Sequence, residues 1–177
     1  LSRLKENTEF GYPLYGSLIN TVTRGARLKK VYLRSAATGI GKSRSMIADI
    51  CNIACDEVYD FTRGQWISNG TREPAIFIST EQEKSEIQTM MLAFISDVDE
   101  EHILTGEYGE GEWERVVYAT KILERCPLYI QELPDFSLQD IENTIKHNKT
   151  YVNLITQTFC ATKKILVIFF SFHIIAI

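Results

Sequence analysis

The sequence predicts an α/β fold in which a parallel sheet carries helices on both faces, and three observations predict it. Short apolar runs alternate with stretches of helical periodicity through residues 30–148. The first run, Val31 to Leu33, leads into a loop of small residues that opens directly into a helix. The second, Ala75 to Ser79 (AIFIS), is continuously apolar between Pro74 and a charged stretch, as expected of a strand buried on both faces.

The loop reads AATGIGKS, comprising Ala36, Ala37, Thr38, Gly39, Ile40, Gly41, Lys42 and Ser43. Small residues let the backbone curl until successive N–H groups converge on a phosphate, and the following helix adds the partial positive charge of its N-terminus. Lys42 places a charge on the outer phosphates and Ser43 offers a hydroxyl to Mg²⁺, so all eight residues are candidate nucleotide ligands and Ser43 the candidate metal ligand. The usual motif opens with Gly, and Ala36 stands there instead.

Residues 1–29 mix charges with Gly11, Pro13, Gly16 and Gly25, and form an N-terminal segment with one short helix whose apolar face is Leu18, Ile19 and Val22. The chain begins at Leu1, which suggests a piece of a longer parent. From Lys42 to about Tyr59, apolar residues at Met46, Ile47, Ile50, Ile53, Ala54 and Val58 predict an amphipathic helix. Residues 60–74 are polar with two glycines and read as a long loop or small hairpin, in which Trp66 pins the segment to the body.

Thr80 and Glu81 follow the second strand at its carboxyl end, the edge where ligands sit in open parallel sheets. Glu81 is therefore a candidate to activate a water facing the terminal phosphate, with a place in the first turn of the next helix as the alternative. Residues 83–95 predict a helix burying Ile87, Met90, Met91, Phe94 and Ile95, and a short helix begins at Asp97 or Asp99 and stops at Gly106. GEYGEGE, residues 106–112, is an acidic turn without the alternating Asp or Asn of a calcium loop. Glu112 to Arg125 predict a helix with Trp113, Val116, Val117, Ile122 and Leu123 turned inward. Pro127 ends it, Leu128 to Ile130 begin a third strand, and Ser137 caps a helix running to about His147.

The 177 residues are 45% hydrophobic with a net charge of −4, a composition that suits one globular domain and gives no basic surface for nucleic acid. The four cysteines lack metal-ligand spacing and no signal peptide leads the chain, so a cytoplasmic protein with reduced thiols is expected.

Taken together, AATGIGKS and the stretch from Ile76 to Val116 resemble the motor domain of DnaB-like replicative helicases. The likeness is carried by Ser79-Thr80-Glu81 at a strand end, a Met-rich helix, Thr105-Gly106, Trp113, and Leu128-Tyr129-Ile130 followed by Glu132. It runs from about Gly11 to His147. The resemblance implies a RecA-like P-loop NTPase fold, here incomplete at the C-terminus, using ATP and Mg²⁺ to unwind DNA. It also implies a homo-hexamer around single-stranded DNA, partners such as a primase or loader, and no membrane. By the same likeness Lys42 and Glu81 become the catalytic residues.

The family's next strand ends in an Asp that holds the water shell of Mg²⁺, and DNA-binding loops and a trans-acting arginine come after it. Beyond Glu142 this chain has neither Asp nor Glu. The apolar run Ile165 to Phe170 is a candidate for that strand, with Ser171 where Asp belongs. At 13 residues, Ile165 to Ile177 is too short to span a bilayer, which takes about 20. Residues 149–177 are thus an atypical apolar tail, expected from a shifted reading frame near His147 or an interrupted gene. Two functional expectations result: the ATP-binding part of a DnaB-like helicase, and a truncated nucleotide-binding module without turnover. A kinase of this loop class would need an arginine-bearing lid after the third strand, which is missing.

Overall fold

The computed structural model describes residues 10–27, 32, 37, 39–135, 137, 139–141, 143, 144, 147 and 167–171. In chain order the elements are α1 (Ser17–Thr23), α2 (Lys42–Ala54), β1 (Glu57–Asp60), β2 (Gln65–Ser68), β3 (Ala75–Ser79), α3 (Lys84–Ser96), α4 (Glu100–Thr105), α5 (Glu112–Arg125), β4 (Leu128–Glu132) and β5 (Val167–Ser171). The run 31–33, expected as the first strand, falls outside the described residues apart from Tyr32, whose hydroxyl accepts from Arg27 N–H and donates to Gly25 O.

Strand β3 is the middle strand of a three-stranded parallel sheet ordered β4-β3-β5. Ala75 lies opposite Leu128 and Val167, and Ser79 opposite Glu132 and Ser171, so the three strands end together at one carboxyl edge. All five β3 residues are buried. Successive strand side chains point to opposite faces, so burial of every position means that both faces of β3 are covered.

The face bearing Ala75 and Phe77 packs on Ile47, Ile50 and Cys51 of α2, Ile87, Met91 and Ile95 of α3, and Ala119 and Ile122 of α5. Each large side chain fully withdrawn from water there contributes about 1.5–3 kcal/mol. Cys51 and Cys55 are buried in this core, as expected of small apolar residues.

The helix expected through Tyr59 stops at Ala54. Cys55 is already extended (φ −91°, ψ 136°), and Glu57–Asp60 pairs antiparallel with Gln65–Ser68 as a hairpin. Val58 matches the helical spacing, but the aromatic contacts of the hairpin decide. Trp66 lies 5.4 Å from the Tyr59 ring and 4.6 Å from Tyr118 on α5, and Tyr118 OH donates to Glu57 Oε2 at 3.0 Å. Trp66 therefore pins the hairpin to the body, as expected.

Three further expectations are corrected or sharpened. Trp113 does not turn inward as its spacing predicts: it is 55% exposed and packs at 5.3 Å on Tyr108 of the preceding turn, while Val116, Ala119 and Ile122 make the buried stripe of α5. On α1, Leu18 and Val22 are exposed and only Ile19 packs inward, beside Leu14, Ala26 and Ile53. Asp99, not Asp97, caps α4, its carboxylate accepting from Glu101 N–H at 2.9 Å. Among the described residues no helix is long and apolar enough to cross a membrane.

Candidate nucleotide site

The phosphate-type loop meets α2 through two glycines in the left-handed region, Gly39 at φ +80° and Gly41 at φ +90°. A Cβ at either would meet nothing within 4 Å. Backbone conformation, not space, is therefore what calls for glycine here. Gly41 is the N-cap of α2 and no side chain caps that terminus. The first turn holds no acidic residue, so its positive end is not offset by a neighbouring carboxylate on the same turn. Ser45 N–H closes the first helical bond to Gly41 O at 2.9 Å.

Lys42 begins α2, and its Nζ donates to Ala37 O at 3.1 Å, which draws the ammonium over the curl of the loop. Gly39, Gly41, Lys42 and Ser43 line a single cleft of about 410 Å³. Ile40, at the loop tip, is 72% exposed, and Ala37 is exposed. Ala36 and Thr38 lie outside the described residues.

The opposite wall is built just past the carboxyl end of β3, from Gln82, then Glu86, Thr89 and Met90 of α3, and Glu100 and Leu104 of α4. Ser79 makes this wall possible. Its buried hydroxyl accepts Gln82 N–H at 3.0 Å and donates to Gln82 O at 2.8 Å, tying the strand end into a tight turn over residues 79–82. Glu81 sits at the exposed apex of that turn, next in the chain to a residue of the cleft. It is not in the first turn of α3, which starts at Lys84 after the Glu83 N-cap.

Three cleft residues, Arg44, Gln82 and Glu100, are not among those the sequence motifs single out. Arg44, two positions beyond the motif lysine, pairs with Glu100 through Nε–Oε1 at 2.7 Å and Nη2–Oε2 at 2.8 Å. Gln82 has a buried Oε1 without a hydrogen-bond partner among the described residues. A basic residue just past the loop was a visible signal for Arg44, whereas nothing local marked Gln82 or Glu100.

Mg²⁺ is a hard cation that takes oxygen ligands and keeps several of its waters. The hydroxyl of Ser43 and the side-chain amide oxygen of Gln82, two residues that line this cleft, are donors of the kind that would hold such a hydrated ion. A buried amide oxygen without a partner is costly, and a bound water or ion shell would satisfy it. At the third strand end, β5 brings residue 171, a serine, level with Ser79.

Residues 15–161 match the family described as DnaB-like helicase C terminal domain. The chain belongs to that family. The match continues past His147, where the sequence likeness was expected to stop. This DnaB-like chain is 40% identical over 148 residues to the SPbeta prophage-derived uncharacterized protein YorI of Bacillus subtilis (strain 168), covering 84% of itself and 29% of that protein. It is 24% identical over 153 residues to the Replicative DNA helicase DnaB of Leifsonia xyli subsp. xyli (strain CTCB07), covering 86% of itself and 30% of that protein. It therefore spans less than a third of these curated relatives. Among solved structures, one described as an ATPase domain superposes with a TM-score of 0.72 at 12% identity, over 97% of this chain and 54% of that one. At that identity the likeness speaks for the fold, which is the RecA-like ATPase fold.

Proposed function

We propose that this chain is the ATP-binding part of a DnaB-like replicative helicase, a motor that in its intact form couples ATP hydrolysis to duplex unwinding. The observation that carries the reading is the single cleft in which Gly39, Gly41, Lys42 and Ser43 face Gln82 at the carboxyl edge of the sheet. Lys42 leaves the Ala37 carbonyl for the phosphate oxygens and offsets charge on the transferred phosphoryl, and loop amides preorganise that field. Ser43 and Gln82 would hold a hydrated Mg²⁺, which would supply positive charge to neutralise the outer phosphates. Glu81 orients and polarises the attacking water from the apex of its turn. The intact protein would work in the cytoplasm as a homo-hexamer around single-stranded DNA, with a primase or loader as further partners.

A second reading is a binding module without turnover, and the serine at position 171 favours it. Where the family's strand ends in Asp, β5 ends in Ser171, and no carboxylate side chain comes after Glu142. On this reading the tail from residue 149 comes from a shifted or interrupted frame, which the encoding DNA would reveal.

ATP binding and hydrolysis by this chain, beside Lys42→Ala and Glu81→Gln, test the first reading. Lys42→Ala is expected to weaken binding, while Glu81→Gln retains binding and abolishes hydrolysis. Hydrolysis that survives Glu81→Gln removes Glu81 from the mechanism. Binding without turnover in the unmutated chain establishes the second reading.

A further inference from the structure

We propose that Arg44 is a phosphate ligand of this cleft and that Glu100 parks its guanidinium when no nucleotide is bound. The inference rests on reading the cleft as a nucleoside triphosphate site and adds a switchable cation to it.

Arg44 is the third residue of α2, and helical side chains tilt toward the N-terminus of their own helix, here the end that faces the loop. Lys42 and Arg44 are two positions apart, so they leave the helix on nearly opposite sides and flank the same terminus. Both line the cleft. The guanidinium engages Glu100 through two N–H···O bonds of 2.7 and 2.8 Å, the bidentate geometry that an Arg fork also makes with phosphate.

The partner is exchangeable. The Arg44 side chain is 68% exposed and that of Glu100 is 25% exposed, so the pair is screened and weakly held. A triphosphate brings several charged oxygens to the helix terminus against one carboxylate. Glu86 also lines the cleft, so two acids oppose an anionic ligand there, and Glu100 holds Arg44 as its counter-ion until phosphate displaces it. Nucleotide binding thus exchanges one bidentate partner for another, and Glu100 competes with the ligand.

A fluorescent ATP analogue with Mg²⁺, titrated into the full 177-residue chain, tests this. Arg44→Ala is expected to weaken binding about tenfold, the scale of one charge-assisted contact, and Arg44→Lys to recover part of the loss. Glu100→Gln is expected to tighten binding by about two- to fivefold, because it removes the competitor. A merely structural ion pair would move both variants toward weaker binding. That result, or an Arg44→Ala chain that binds normally while Lys42→Ala does not, overturns the proposal and leaves the cleft's reading intact. An unmutated chain that fails to bind, or one indifferent to Lys42→Ala, sinks the reading of the cleft and the proposal with it.

Discussion

The backbone N–H of Tyr15 donates to Asp49 Oδ1 at 2.6 Å, joining the N-terminal segment to the helix that carries the phosphate-type loop. Asp49 is 2% exposed. Tyr15 then lays its ring edge-on against Phe94 of α3 at 5.7 Å, and Asn20 brackets Leu14 by accepting from its N–H and donating to its carbonyl. A buried carboxylate that receives a backbone donor fixes the segment's position without a large apolar contact.

Asp49→Ala leaves that donor without its acceptor and is expected to lower stability by about 1–3 kcal/mol, whereas Asp49→Asn keeps an acceptor and loses less. Urea midpoints of both variants check this. A faster tryptic cut at Arg24 or Arg27 in Asp49→Ala should accompany the loss. Equal midpoints for Asp49→Ala and the unmutated chain would remove the tether.

Phe77 sits at the centre of β3 with no exposed surface and belongs to one buried cluster with residues of α2, α3 and α5. Phe77→Ala opens a cavity in this core, and about 3–5 kcal/mol is the expected cost. Phe77→Leu conserves most of the volume and should cost far less. Thermal unfolding ranks the two, and similar midpoints would mean that the core collapses around the deletion.

His102 Nδ1 lies 2.8 Å from Glu112 Oε2. Hydrogen bonding to that carboxylate raises the imidazole pKa above its ordinary 6.5. Glu112 is held below its ordinary 4.5 first by the Gly109 N–H and then by His102. The histidine's contribution is complete below 6.5 and is lost as pH climbs through its raised folded value. The glutamate's is complete above 4.5 and is lost as pH drops through its lowered folded value. Stability from this contact is therefore greatest between those two values. In His102→Asn the fall on the alkaline side should vanish, as read by urea midpoints from about pH 4 to 8. Parallel profiles for variant and parent across the upper half of that range would refute the pairing.

How much was legible depends on how local each cause was. The bounds of β3 could be read because Pro74 and the charged residues around Glu81 bracket a purely apolar run. Those of α5 could be read because Gly111 and Pro127 frame it. The end of α2 could not, because what turns Val58 and Tyr59 into a strand is Trp66 and, across 61 residues, the Tyr118 contact with Glu57. Trp113 keeps helical spacing with Val116 and Val117, yet its partner Tyr108 is in the turn before the helix. At the site, the loop announced itself through residue types at fixed intervals. The far wall did not, since no interval in the chain relates Arg44 to Glu100, and only the fold brings Gln82 and Ser43 to one cleft.

Gln82 allows a test in which stability and binding move in opposite directions. Its Oε1 is buried without a partner among the described residues, so the folded chain carries the cost of a desolvated acceptor. Gln82→Leu keeps the shape and deletes that acceptor. Its N–H and carbonyl bonds to the Ser79 hydroxyl belong to the backbone and survive the change. The variant should therefore be at least as stable as its parent, with a gain of about 1 kcal/mol or less. If the amide oxygen holds a water of the Mg²⁺ shell, the same variant loses the Mg²⁺ dependence of ATP binding while keeping the Mg²⁺-independent part set by Lys42. Titrations with Mg²⁺ and with EDTA, beside a thermal melt, separate the two effects. Unchanged Mg²⁺ dependence in a stabilised Gln82→Leu chain would show that the oxygen is a cost without a use. A destabilised variant would show that it has a protein partner and no place in the ion's shell.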